Sequence, residues 1–326
     1  MQHANPRIRF GVHSAQQGGT LTDYQYLWQK AEELGFDWAS VMDHFLSVQT
    51  DPNAPCLEGM TLLAALAART SRIRCGVLAV GVTYRNPALL VKMATTIDHI
   101  SGGRLELCLG AAWYELEHRQ MGIPFPRVGD RIAMLGEAAQ IVKQLWTQER
   151  TTFRGRYYTI DDAVHAPKPV QQPHPPLWIG GVGERKTLRV VAESGDGWNC
   201  YFMPMPAYLH KLDMLEQHCR AVGRNPATVR KSVVFQPMVG ESTAEVDARA
   251  QRLAADFGAD VATIRPRSVI GSPEQCVEQL LPYVKLGVTD FIMDVRPPAD
   301  VRCLELIAGK VAPLLRREAL RQGGYL

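Results

Sequence analysis

A chain of 326 residues, 46% of them hydrophobic, is long enough to bury one large core, and its formal charge of only +3, spread evenly along the sequence, excludes the footprint of a nucleic-acid binder. No apolar run approaches bilayer length and the first ten residues lack the apolar centre of a signal peptide, so a cytoplasmic protein with no membrane partner is expected. The seven cysteines are odd in number and widely spaced, with no pair at metal-ligand or redox spacing, and read as buried free thiols.

Short β-branched runs alternate with stretches of helical period, the rhythm of βα units on a parallel sheet. Arg7 to His13 reads as a first strand, and Leu21 to Leu34 as a helix closed by Gly35. Strand two, Asp37 to Met42, delivers Asp43-His44-Phe45 at its end, and Leu57 to Thr70 is the next helix. Strand three is Ile73 to Val82. Asn86-Pro87 then starts a helix that runs to about Ile100, and Ser101-Gly102-Gly103 turns the chain into strand four, Leu105 to Leu109. Here the rhythm breaks. Arg127 to Trp146 is a long amphipathic helix, Thr151 to Ile160 alternates like a hairpin turning at Gly155, and five prolines between 167 and 176 make a stiff connector.

Strand five is Leu177 to Ile179, and strands six to eight are Gly197 to Phe202, Val229 to Val239 and Asp290 to Val295. Ser272-Pro273-Glu274 starts the helix before the last strand. Too few strands lie on either side of the proline connector to close a separate sheet. One domain over residues 1–326 follows, an α/β (β/α)8 TIM barrel with an insertion after strand four, and an open doubly wound sheet is the alternative.

The stretch from Gly76 to His118 carries most of the chemistry, because each of its two strands ends in a burst of polar and aromatic residues where a barrel places its ligands. Asp43-His44 at the end of strand two offers a general base beside an orienting carboxylate, or simply a loop cap. Gly180-Gly181-Val182-Gly183, followed by Glu184, Arg185 and Lys186, is a glycine-rich strand-to-helix turn whose amides suit a phosphate, with Arg185 adding attraction; a purely steric turn is the other reading. It is neither a Walker loop nor the dinucleotide fingerprint. Trp113 to His118 mixes aromatic faces with Glu115, Glu117 and His118. Cofactor contact is one reading, and exposed carboxylates under a space-filling Trp113 are the other. Strand one offers only His13 and the nine histidines form no ligand pair, so no catalytic metal is expected.

Asp43-His44-Phe45, Thr70 to Gly76, Gly81 to Pro87, Ser101 to Arg104, Trp113 to His118, Gly122 to Pro126, Pro167 to Gln171, Ile179 to Arg185 and Asp196 to Asn199 follow one another in an order and spacing that resembles the luciferase-like monooxygenase superfamily, and within it the deazaflavin (coenzyme F420) oxidoreductases of actinobacterial type. The resemblance implies a TIM barrel whose cofactor ring lies over strand three, beside a non-prolyl cis peptide at a bulge around Val80, Gly81 and Val82, with Thr83 next to it. A glycine there keeps crowding low. It implies further that Asp43 contacts the ring, that His44 transfers a proton, and that the turn from Gly180 to Gly183 takes the cofactor phosphate. Trp113, His118 and Arg185 complete the cofactor set, and Glu115 and Glu117 stand as the nearby catalytic carboxylates.

One departure narrows what is inherited. Sugar-phosphate-oxidising relatives place a glutamate where this chain has Trp113, so their substrate does not transfer with the resemblance. The expected function is hydride transfer between F420 and a small organic molecule, with bulky apolar substrates suiting the aromatic strand ends. The alternatives are an FMN-dependent monooxygenase of the same fold and a cofactor-binding protein with little turnover. Family members are frequently homodimers, which is the expectation for assembly.

Overall fold

The strand ends that carry these residues meet at one mouth because the sheet closes on itself. In a computed structural model of the chain, which describes residues 7–48 and 51–321, the strands are β1 (Arg9–Ser14), β2 (Trp38–Val41), β3 (Arg74–Gly81), β4 (Leu105–Gly110), β5 (Arg150–Arg154), β6 (Thr159–Val164), β7 (Leu177–Gly180), β8 (Gly197–Tyr201), β9 (Arg230–Val239), β10 (Ser268–Gly271) and β11 (Val288–Val295). Parallel pairing runs β1-β2-β3-β4-β7-β8-β9-β11 and returns to β1, so neither end of that series is an edge. The open-sheet alternative is thereby excluded. A fully buried strand such as β11 needs apolar neighbours on both faces, which a closed barrel inside a ring of helices supplies.

All eight predicted barrel strands are present, with no end shifted by more than two residues. One strand was not anticipated. β9 has ten residues, enough for two neighbours: Lys231 to Phe235 pair with β11, while Gln236 to Val239 pair with β10 outside the barrel. Four residues of β10 are too few to show alternation in the sequence.

Helix starts follow their caps. Thr20 and Asp23 form a capping box before Leu21–Glu33, Asn86 caps Pro87–Ile100, and Ser272 with Gln275 caps Pro273–Lys285. The helix expected over Leu57 to Thr70 is shorter, Gly59–Ala67, because the Glu58 carboxylate accepts from the Met60 and Thr61 amides and fixes the start. The insertion between β4 and β7 holds the helices Glu115–Gln120 and Val128–Thr147 and the β5–β6 hairpin. Glu137 clamps that hairpin's turn by accepting from the amides of Arg156, Tyr157 and Tyr158 at 2.7 to 3.0 Å.

The amino-terminal end of the barrel is sealed by buried charge. Arg9 of β1 reaches both Glu106 of β4 and Asp290 of β11, and Arg74 also pairs with Glu106. Burial opposes the Glu106 charge, but Arg9 and its companions outweigh it and hold the carboxyl far below its ordinary value. Six of the seven cysteines are buried and Cys56 is half-buried, all of them free thiols. No helix among the described residues is long and apolar enough to cross a membrane.

Candidate active site

β2 ends at Val41, and the next residues turn over the barrel mouth. Asp43, 1% exposed, accepts two hydrogen bonds from Arg85 at 2.8 and 2.9 Å and one from the Gly81 amide at 3.0 Å. Its oxygens are thus spent on tying the β2 loop to the β3 loop. Burial works against the Arg85 charge, yet Asp43 and Glu58 together lift its pKa above the usual value.

His44 points the other way, into the mouth. Its Nδ1 lies 2.8 Å from Oε1 of Glu117, which also accepts from the Tyr84 hydroxyl, while Glu117 Oε2 accepts from the Phe45 amide at 2.9 Å. Glu117 is completely buried. Burial opposes its ionisation, but the bonds from His44, Tyr84 and Phe45 prevail and hold its pKa below the ordinary carboxylate value. An ionised carboxylate only accepts, so His44 carries a proton on Nδ1, and its neutral form has the lone pair on Nε2. Burial, and then Glu117 itself, push the Tyr84 hydroxyl well above its usual pKa, so it stays a donor.

The helix Glu115–Gln120 explains why the two glutamates part company. Where the sequence allowed two exposed loop carboxylates, one helical turn sends Glu117 and His118 inward and leaves Glu115 exposed. His118 does not line the cavity. Its ring bonds Thr83 Oγ1 at 2.7 Å and the Tyr114 carbonyl at 2.7 Å, so Thr83 and His118 pin two mouth loops together. Trp113 is 59% exposed at the rim, edge-on to His44 with ring centroids 5.7 Å apart.

The bulge of β3 lies slightly upstream of where it was expected. The non-prolyl cis peptide joins Leu78 and Ala79, and the β3–β4 register shifts between Val77 and Val80. Val80 and Val82 are buried in the hydrophobic core, whereas Leu78, Ala79 and Gly81 line the cavity. Glycines make room: a Cβ on Gly110 or Gly180 would sit 3.3 or 3.4 Å from the Ala79 methyl, and a Cβ on Gly81 would strike the Tyr84 ring at 2.3 Å.

Gly180, Gly181 and Val182 also line the cavity. Gly181 has φ +129°, a conformation that favours glycine, its amide bonds the Asn199 carbonyl at 3.1 Å and its own carbonyl accepts from Trp198. Gly183 and Arg185 are exposed beyond the rim, and the helix begins only at Thr187, so a short turn separates the glycines from it. The cavity measures about 1160 Å³, its open mouth included, large enough for a flat cofactor and a small partner. Among the described residues no group of three or more His, Cys, Asp or Glu is placed to hold a metal.

His13, Tyr84, Asn199, Tyr201 and Asp294 also face or frame this cavity and were not singled out from sequence as site residues. The signal for Asp294 in the sequence is a carboxylate that follows the apolar run Phe291 to Met293 near a strand end.

The luciferase-like monooxygenase family model matches residues 7–262. The chain belongs to that family. Among curated relatives, an F420-dependent glucose-6-phosphate dehydrogenase of Kineococcus radiotolerans is 27% identical over 91% of this chain and 93% of its own length. The pyrimidine monooxygenase RutA of Stutzerimonas stutzeri is 40% identical, but over only 43% of this chain and 40% of its own. Of solved structures, an F420-dependent secondary alcohol dehydrogenase in complex with an F420-acetone adduct superimposes with a TM-score of 0.81 at 20% identity, covering 95% of this chain and 99% of the other. This luciferase-like chain therefore shares its overall fold with that structure.

Proposed function

We propose that this luciferase-like protein is an F420-dependent oxidoreductase acting on a small organic substrate. The observation that carries the reading is His44, held by buried Glu117 and lining a cavity beside the β3 bulge. Support comes from relatives that span nine-tenths of the chain and are named for F420. The residues fit such a group: the Ala79 bulge fills the space left by Gly110 and Gly180, and the glycine wall at Gly180 and Gly181 lets a flat ring approach backbone closely.

When bound, the deazaflavin would exchange a hydride with the substrate at a ring carbon. His44 Nε2 accepts the proton of a substrate hydroxyl as the carbonyl forms, or returns it in the reverse direction. Glu117 fixes the tautomer that makes this possible and stabilises the imidazolium that results. Leu78, Val48 and Trp113 give the substrate apolar walls and exclude water. Asp43 and Arg85 hold the loops in register, and the Gly180–Gly183 turn with Arg185 would hold the cofactor's phosphate. Glu115, exposed, has no part in the proton path. The setting is the cytoplasm and the assembly a homodimer, with neither nucleic acid nor membrane as partner.

Titration of the purified chain with F420 and, separately, with FMN, followed by fluorescence, tests the reading. Micromolar binding of F420 alone is expected. Preference for FMN would favour the second reading, a flavin monooxygenase, for which the RutA match speaks; binding of neither would overturn both.

A further inference from the structure

A second histidine lines the mouth cavity and takes no part in the proton path. His13, on β1, is 7% exposed, and the mouth is the cavity that it lines. Its Nδ1 lies 2.8 Å from the hydroxyl oxygen of Ser40, its register partner on β2. Its Nε2 bonds no described residue and is not one of the fully buried polar atoms that lack a partner, so that nitrogen keeps accessible surface. An unpaired ring nitrogen with surface, on a side chain that lines a cavity, is available to what the cavity holds.

Ser40 decides what that nitrogen offers. The serine is fully buried, and its hydroxyl bonds no described residue other than His13. A buried hydroxyl left without an acceptor is costly, so Ser40 donates to Nδ1. A neutral imidazole has one ring proton, which then sits on Nε2. The ring is neutral because burial holds its pKa below the ordinary value; Asp294, in register on β11, pulls the other way, and the charges of His44 and Arg296 push with burial. The two histidines of the mouth are complementary, since neutral His44 has a lone pair on Nε2 and His13 has a proton there. An alcohol oxygen uses both, an acceptor for its hydrogen and a donor for its lone pair.

We propose that His13 is a second catalytic residue of this cavity, donating from Nε2–H to the same substrate oxygen that exchanges its proton with His44, with Ser40 as the positioning residue that fixes the tautomer. This deepens the reading of the cavity as a hydride-transfer site and rests on it. The two contacts do not compete, because one uses the hydroxyl hydrogen and the other a lone pair of the oxygen. That oxygen gathers negative charge while the carbonyl forms or is reduced, and a donor already fixed in place stabilises it. A neutral imidazole suits the task, since it donates without placing a charge that burial would oppose. His13 keeps its proton throughout, so the balance of the reaction is unchanged.

Two measurements test the assignment. Nitrogen NMR of the histidine rings in the unloaded wild type should show His13 protonated on Nε2 and bare on Nδ1, and in Ser40→Ala a mixture of tautomers; the opposite tautomer in wild type overturns the proposal. The second is calorimetric titration with cyclohexanone of protein loaded with oxidised F420, a state that exchanges no hydride with a ketone, loading being verified by quenching of the coenzyme's fluorescence. His13→Phe keeps a flat ring without the donor and should bind the ketone on the order of threefold to tenfold more weakly than wild type. In His13→Gln the amide oxygen can take the Ser40 proton while the amide nitrogen donates, so most of the loss should be recovered. The infrared carbonyl stretch of the bound ketone should rise in His13→Phe and return toward the wild-type value in His13→Gln. Equal affinity and stretch in wild type and His13→Phe, or a loaded wild type that does not bind the ketone, overturns the assignment. So does a His13→Phe protein that loses F420 affinity while the ketone signals stay unchanged, because the donor then serves the coenzyme. Failure of the wild type to bind F420 sinks the functional reading instead, and the tautomer of the unloaded protein still decides whether His13 is a donor.

Discussion

Replacing Gly81 by alanine should disturb the His44–Glu117 pair through Tyr84, three residues along the chain. The added Cβ would stand 2.3 Å from Cε2 and 2.6 Å from Cδ2 of Tyr84, so the ring must retreat from 2.3 to at least 3.4 Å, more than an ångström. Retreat is blocked on both flanks, by Phe45 and by His118, whose rings each sit 4.9 Å from Tyr84. Overpacking of this kind costs about 1–3 kcal/mol. The displaced hydroxyl also leaves the Glu117 carboxylate, and a hydrogen bond to a charged group adds about 1.5–3 kcal/mol. The sum, roughly 2.5–6 kcal/mol, is read as the shift of the urea midpoint multiplied by the slope of the unfolding transition. The same substitution in a Tyr84→Phe background should cost only the overpacking part, about 1–3 kcal/mol, because the hydroxyl is already absent. A Gly81→Ala protein within about 0.5 kcal/mol of wild type, or an identical cost in both backgrounds, would refute the proposed link between backbone, Tyr84 and Glu117.

Gly183→Asp should abolish F420 affinity in a fluorescence titration by setting a carboxylate at the rim, whereas Gly183→Ala, which shares the crowding against Thr187 at 2.7 Å, should weaken it far less; equal losses would mean that charge plays no part. Glu106→Gln leaves Arg9 and Arg74 facing a neutral amide and should cost about 3–5 kcal/mol at neutral pH. Because the folded Glu106 pKa lies below its unfolded value of 4.5, its stabilisation is complete above that pH and erodes as the pH falls beneath it, so acid unfolding profiles of wild type and variant should converge on acidification. Glucose-6-phosphate should not reduce or oxidise bound F420 here, since exposed Trp113 stands where sugar-phosphate-oxidising relatives carry a carboxylate; a change in coenzyme absorbance on adding the sugar would contradict this. Light scattering should give twice the 36.2 kDa mass of one chain.

Much of this molecule was written locally. Strand and helix identity follow from side-chain periodicity, and helix starts from the caps at Thr20, Asn86 and Ser272, because both depend on residues within one or two turns of each other. His44 was legible as a candidate because it lies next to a strand end, and strand ends of a barrel share one mouth. Tertiary structure alone decided the rest. It joined Glu117 to His44 across 73 positions and buried it while exposing Glu115 two residues away, set the β3 bulge at Leu78–Ala79, and turned Val80 and Val82 into the core. It also set Ser40 against His13 Nδ1. Such pairings are set by where distant strands stop and which face each residue is given, and a sequence read one segment at a time holds the first kind of information without the second.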